Sequence, residues 1–292
     1  MAVGESMRAK LFLVVAAAIT AVADTETRGI VPEAVLRARP AKSGVAAAPA
    51  PRYRPVAAGS ISRPAAARQL GVTIWKLRPA GADDQGARIL VHQESETTGW
   101  IPERVASTST LTPGDRVRIG IESPEPGYLY VIDRERYASG ERGAPYLIFP
   151  TLRTRNGDNL AKAGRLIEIP AQDDRPNFFT LQPSQSGQTE EELTILVAPH
   201  PLEGIEIGRA PLALPAGQIA RWESQWGGKV QTFELAGGAG KRWTDVEQRA
   251  GADADRLLTQ ADPPPQTVYR VEATSDAAVL VKVRLRYRAT GK

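Results

Sequence analysis

Cysteine is absent from all 292 residues. That absence excludes disulfide bonds, zinc–thiolate sites, thiol nucleophiles and the lipid-bearing cysteine of a lipoprotein. Stability must therefore come from packing. Histidine is nearly as scarce, with only His92 and His200, 108 positions apart. No His-Glu-x-x-His and no Gly-x-Ser-x-Gly segment occurs, so neither a histidine-rich metal centre nor a catalytic triad is expected. The glycine-rich run Gly237-Gly238-Ala239-Gly240-Lys241 falls short of a phosphate loop, because Arg242 stands where Ser or Thr is required. No catalytic residue, metal or cofactor is expected on these grounds.

Long apolar runs are also missing, apart from Leu11 to Ala23. These 13 residues are short of the roughly 20 that span a bilayer. Arg8 and Lys10 precede the run, and Ala21-Val22-Ala23 closes it before Asp24-Thr25-Glu26. A positive segment, an apolar segment and a small-x-small end form the pattern of a signal peptide over residues 1–23. Met7 is an alternative start. The expectation is export to the periplasm or beyond.

Acidic residues are missing from Ala34 to Ala82, where nine bases stand: Arg37, Arg39, Lys42, Arg52, Arg54, Arg63, Arg68, Lys76 and Arg78. From Asp83 to Lys292 there are 25 bases against 29 acids. The sequence pI near 9.4 thus belongs mainly to one stretch, and with export it argues against a nucleic-acid partner. Repeated Ala and Pro between Pro40 and Arg68 give no apolar periodicity. Residues 24–68 read as a disordered basic tether, either a plain spacer or one whose arginines touch anionic envelope polymers.

From Val72 the pattern turns β-like. Short apolar segments recur at Val72–Leu77, Arg88–His92, Val117–Ile121, Tyr128–Ile132, Tyr146–Phe149, Leu166–Ile169, Phe178–Leu181 and Leu193–Val197. Gly- and Pro-rich turns such as Pro113-Gly114-Asp115 separate them, which predicts a mainly β fold, an antiparallel β-sandwich over residues 69–201. Past Pro215 the spacing turns helical, with Ile219, Trp222 and Trp226 on one face. Thr244 to Glu247 fits a capping box, and Leu257 and Leu258 mark a third short helix. Two strands end the chain, Thr267–Glu272 and Ala278–Tyr287. Residues 202–292 therefore read as a small helical insertion plus strands that rejoin the sandwich.

Two kinds of site are open. Paired carboxylates suffice for glycoside hydrolysis, and Asp133, Glu135, Glu122 and Glu125 are candidates, with surface loops as the plainer explanation. Glu190-Glu191-Glu192 reads as a solvated turn. Aromatic residues offer recognition surface, and Trp75, Trp100, Tyr128, Tyr130, Trp222, Trp226 and Trp243 form the set, with core packing as the alternative. Trp100 and Tyr130 are the partner-binding candidates among them. The last strand alternates apolar residues with Lys282, Arg284, Arg286 and Arg288, a basic face suited to an anionic polymer or to cross-strand ion pairs.

The order Gly114-Asp115, Pro126-Gly127-Tyr128-Leu129-Tyr130, Phe149-Pro150, Ala163-Gly164 and Ile169-Pro170 resembles a bacterial family catalogued as domain of unknown function 4384, over about residues 98–201. The resemblance implies a compact β domain of secreted or envelope proteins and supplies no catalytic residues. Together these readings lead to an exported, non-enzymatic binding or assembly module of the cell envelope, recognising a protein or glycan partner. The alternative is a carbohydrate-active hydrolase using two carboxylates.

Overall fold

The computed structural model describes residues 33–42, 50–57, 67–93, 96–252, 257–272 and 277–288. The expected signal peptide lies outside them. The chain opens with helix α1 (Glu33–Ala38), then strands β1 (Tyr53–Pro55), β2 (Ala67–Pro79), β3 (Ile89–Gln93), β4 (Glu96–Val105) and β5 (Thr110–Leu111). Next come β6 (Arg116–Glu122), β7 (Gly127–Tyr137), β8 (Tyr146–Phe149), β9 (Leu160–Ala161), β10 (Leu166–Ile169) and β11 (Phe179–Thr180). The remainder is β12 (Gln188–Ala198), β13 (Leu212–Ala213), α2 (Gln218–Trp226), β14 (Val230–Leu235), α3 (Asp245–Ala252), β15 (Thr267–Glu272) and β16 (Val279–Tyr287).

Two sheets result, and the protein is mainly β with few helices. The first runs β1-β14-β15-β2-β4-β3, with β6 on the other edge of β2 and β10 and β11 beyond it. The second runs β13-β8-β7-β12-β16-β5, with β9 on β7. All pairings among the described residues are antiparallel except β16 with β5. Alternate residues of both sheets meet between them: Val72, Ile74, Ile119 and Ile121 from one, Val131, Leu193, Ile195 and Val281 from the other. This is a β-sandwich, held by the period-2 alternation of its strands. The two C-terminal strands part company, β15 entering the first sheet beside β2 and β16 the second beside β12.

The outer face of the second sheet is buried as well. Tyr130, Ile132, Leu196 and Leu280 point outward and are covered by Ile219 and Trp222 of α2. The outer face of the first carries Trp75 and Leu77 under Trp243, whose ring stacks on that of Trp75 at 6.0 Å. The capping box forms as expected: Glu247 Oε2 accepts Thr244 N–H at 3.0 Å, and Thr244 Oγ1 accepts Glu247 N–H at 3.3 Å. Leu257 and Leu258, by contrast, lie outside any helix.

The tether expectation over 24–68 is corrected at two places. Val35, Arg39 and Tyr53 are buried, and β1 adds to the edge of β14. Arg39 closes on Glu122 and also donates to the carbonyls of Thr259, Asp262 and Pro263. Composition hid these anchors, because single buried residues spaced along a Pro/Ala-rich stretch produce no periodicity. Glu190-Glu191-Glu192 is a second correction: the three lie inside β12 and are buried. Charged residues are admitted there because cations and hydroxyl groups of neighbouring strands meet them.

Candidate functional site

Between β8 and β11 the chain makes a long excursion that walls a cavity of about 790 Å³. Thr154 N–H bonds to Thr151 O at 3.0 Å, closing a turn. Arg155, Asn156 and Gly157 then succeed one another with φ of 54°, 50° and 81°, a left-handed run unusual for the first two. Asp174 holds it in place, its carboxylate accepting Arg155 N–H at 3.0 and 3.2 Å and Ala171 N–H at 2.6 Å. Leu152 N–H donates to Gly208 O at 2.8 Å, which brings Arg209 onto the same wall. The C-terminal end of α3 closes the far side.

Six cations line the cavity, Arg153, Arg155, Lys162, Arg165, Arg175 and Arg209, against the carboxylates of Asp158, Asp173 and Asp174. Arg155 lies 3.6 Å from Asp158. Arg175 spends its guanidinium on the carbonyls of Gln172, Asp173 and Asp174. The side chains of Arg153, Lys162 and Arg209 make no ion pair or hydrogen bond among the described residues. A concave wall with an excess of positive charge and three uncommitted cations is suited to an anion, whose carboxylate, sulfate or phosphate oxygens would supply the missing acceptors.

The residues expected to contact a partner are dispersed. Tyr130 is only 3% exposed and its hydroxyl accepts the Leu202 N–H at 2.9 Å, so it belongs to the core beneath α2 and the expectation of a contact residue is corrected. Period-2 alternation places it on the outer face, but cannot show that a helix covers that face. Trp100 is half-exposed; Arg116 stacks over its ring at 4.4 Å and over Phe178 at 4.6 Å, and its indole N–H donates to Thr98 Oγ1 at 2.8 Å.

Lys282, Arg284 and Arg286 form a ladder with the neighbouring strand. Lys282 sits 2.5 Å from Glu223 and 3.7 Å from Glu192, Arg284 is 3.6 Å from both Glu190 and Glu192, and Arg286 is 3.6 Å from Glu190. Arg136 adds contacts of 2.9 and 2.8 Å to the same two acids. Burial opposes ionisation of Glu192, yet Lys282 and Arg136 outweigh it and hold the carboxyl below its ordinary range. The basic face is thus met by a matching acidic one, while still edging a groove of about 500 Å³.

No family model, curated protein or solved structure matches this chain.

The carboxylate candidates separate likewise. Glu122 is bound to Arg39, and Glu125 lies 2.6 Å from Arg68. Asp133 and Glu135 project with Glu191 from the inner face of the second sheet, at the end where its apolar side chains stop. Tyr137 Oη donates to Glu135 at 2.5 Å, and Tyr287 Oη and Gln188 Nε2 donate to Glu191 at 2.8 and 2.6 Å. Asp133 and Glu191 are electrostatic neighbours on this face. Burial, and then the Glu191 charge, push Asp133 up to about 8. The cation-lined cavity escaped sequence reading because Arg153, Lys162 and Arg209 lie on separate loops; the only trace was the density of bases between Arg153 and Arg175.

Proposed function

We propose that this protein is an exported, non-enzymatic binding module of the cell envelope that holds the anionic groups of a partner, glycan or protein, in the cavity between β8 and β11. The observation that carries the reading is the convergence of Arg153, Lys162 and Arg209, uncommitted to any partner among the described residues, on one concave wall. Cations are cheap to leave in solvent, but several of one sign crowded around a cavity repel one another. A polyanion relieves that repulsion. Such a site captures its ligand fastest at low ionic strength and weakens as salt rises.

The hydrolase reading is less well served. Glycoside hydrolysis places its two carboxyl groups about 5 Å or more apart, with the sugar between them. Glu122 and Glu125 are each paired with an arginine and Glu135 accepts the Tyr137 hydroxyl, so these candidates are committed to contacts within the fold.

The test is equilibrium binding of polygalacturonate and of inorganic polyphosphate to the purified protein at low and physiological salt. Saturable binding that weakens with salt, and falls at least tenfold in the R153A/K162A/R209A variant with an unchanged melting temperature, is the expected result. Binding that the triple variant retains in full would sink the proposal.

A further inference from the structure

A second cavity, of about 510 Å³, lies against α2 and the Pro199–Glu203 turn. Its floor is aromatic. Trp222 and Trp226 stack with ring centroids 6.2 Å apart and planes 19° from parallel; Trp222 is buried, whereas Trp226, the last residue of α2, stays partly open to the cavity. The rim is polar. His200, Glu203 and Gln225 are exposed, and their side chains make no hydrogen bond or ion pair among the described residues.

The frame is rigid. Pro199 and Pro201 fix φ on either side of His200, and Leu202 N–H is anchored on the Tyr130 hydroxyl. Gly227 N–H caps the helix on Glu223 O at 2.8 Å, directly after Trp226. The backbone carrying both floor and rim is therefore held before any ligand arrives, which lowers the ordering cost of binding.

We infer that this cavity is a binding site for an uncharged hexopyranose ring of a glycan chain. A pyranose has a flat face of C–H bonds and an edge of hydroxyls that both donate and accept. The partly open indole of Trp226 suits the face, while the Gln225 amide, the Glu203 carboxylate and the His200 imidazole offer donors and acceptors to the edge. A lipid tail or an aliphatic side chain would leave those three polar groups without partners and partly desolvated. The inference rests on a different set of side chains from the cation-lined cavity and holds whether or not that cavity binds anions.

The experiment titrates the full chain with two neutral probes, cellohexaose and the hexamer of β-1,4-linked N-acetylglucosamine, by tryptophan fluorescence and calorimetric heat. Saturation by at least one of them is expected, weakened about tenfold in W226A and several-fold in Q225A. W226F, which keeps a ring at the position, should recover part of the loss and guards against a folding defect. The R153A/K162A/R209A variant should bind the neutral hexamer as the unmodified protein does, so failure of the anion-binding reading would be seen separately. Absence of saturation by either probe to millimolar concentration overturns the inference, as does W226A binding indistinguishable from the unmodified protein. Saturation by a proline-rich peptide in place of both sugars would likewise overturn it.

Discussion

Arg39 and Glu122, 83 positions apart, close on one another through two parallel hydrogen bonds, Nε to Oε2 at 2.8 Å and Nη2 to Oε1 at 2.7 Å. Both side chains are almost wholly buried. Removing one member of such a pair strands the other charge in the interior, at a cost of about 3 to 5 kcal/mol. Arg39→Ala should therefore lower the melting temperature by roughly 10 °C, read by circular dichroism. The R39M/E122L pair, which leaves no charge behind, should recover much of it. An R39A protein melting with the unmodified one would contradict the packing of the 33–39 segment.

Gly164 makes the same anchor from the other side. Its φ is +69°, and a Cβ there would fall 2.1 Å from Ala38 O. Gly164→Ala combines a left-handed backbone with a backbone clash and should cost more than about 1 kcal/mol. Because both changes act on the docking of α1, the G164A and R39A losses should fall short of additive in a double-mutant cycle. Full additivity would mean the two contacts are independent.

Asp133 sets a pH dependence. Burial, and then the neighbouring Glu191 charge, push Asp133 up to about 8 from an ordinary value of 3.8. Glu135, Tyr137, Gln188 and Tyr287 face the same cluster, and none brings a positive charge. The folded state thus keeps a proton that the unfolded chain releases. This contribution to stability is fully present below about pH 4 and is lost as pH rises through 8. Melting curves of the unmodified protein and Asp133→Asn, compared from pH 4 to pH 9, should diverge with pH, the variant gaining relative stability toward the alkaline end. Parallel curves would refute the proton retained on Asp133.

Tyr130 should behave as a core residue. Tyr130→Phe keeps the ring and leaves the Leu202 N–H without its acceptor, which is expected to cost about 0.5 to 1.5 kcal/mol. Binding of polygalacturonate should not change. A folded Y130F protein with polygalacturonate affinity reduced tenfold would return Tyr130 to the recognition surface.

Much of the sandwich was legible in the sequence. Tyr146–Phe149, Leu166–Ile169 and Thr267–Glu272 coincide with strands to the residue, since period-2 alternation and Gly/Pro turns are local properties. The Thr244 capping box and the Ile219–Trp226 helix were equally local. β4 was not legible, because Glu96–Val105 mixes Thr, Gly, Pro and Arg and owes its strand to pairing with β2 and β3.

The candidate sites divide in the same way. Alternation along β16 determined that Lys282, Arg284 and Arg286 share a face, and the sequence alone showed that thiols are absent and that there are only two histidines. Only the tertiary structure decided that Glu190 and Glu192 lie opposite that face, that α2 covers Tyr130, and that Arg153, Lys162 and Arg209 meet around one cavity. The physical reason is that backbone preference and hydrophobic period act over a few residues, whereas charge pairing, burial and cavity formation depend on distances between segments that the linear order does not encode.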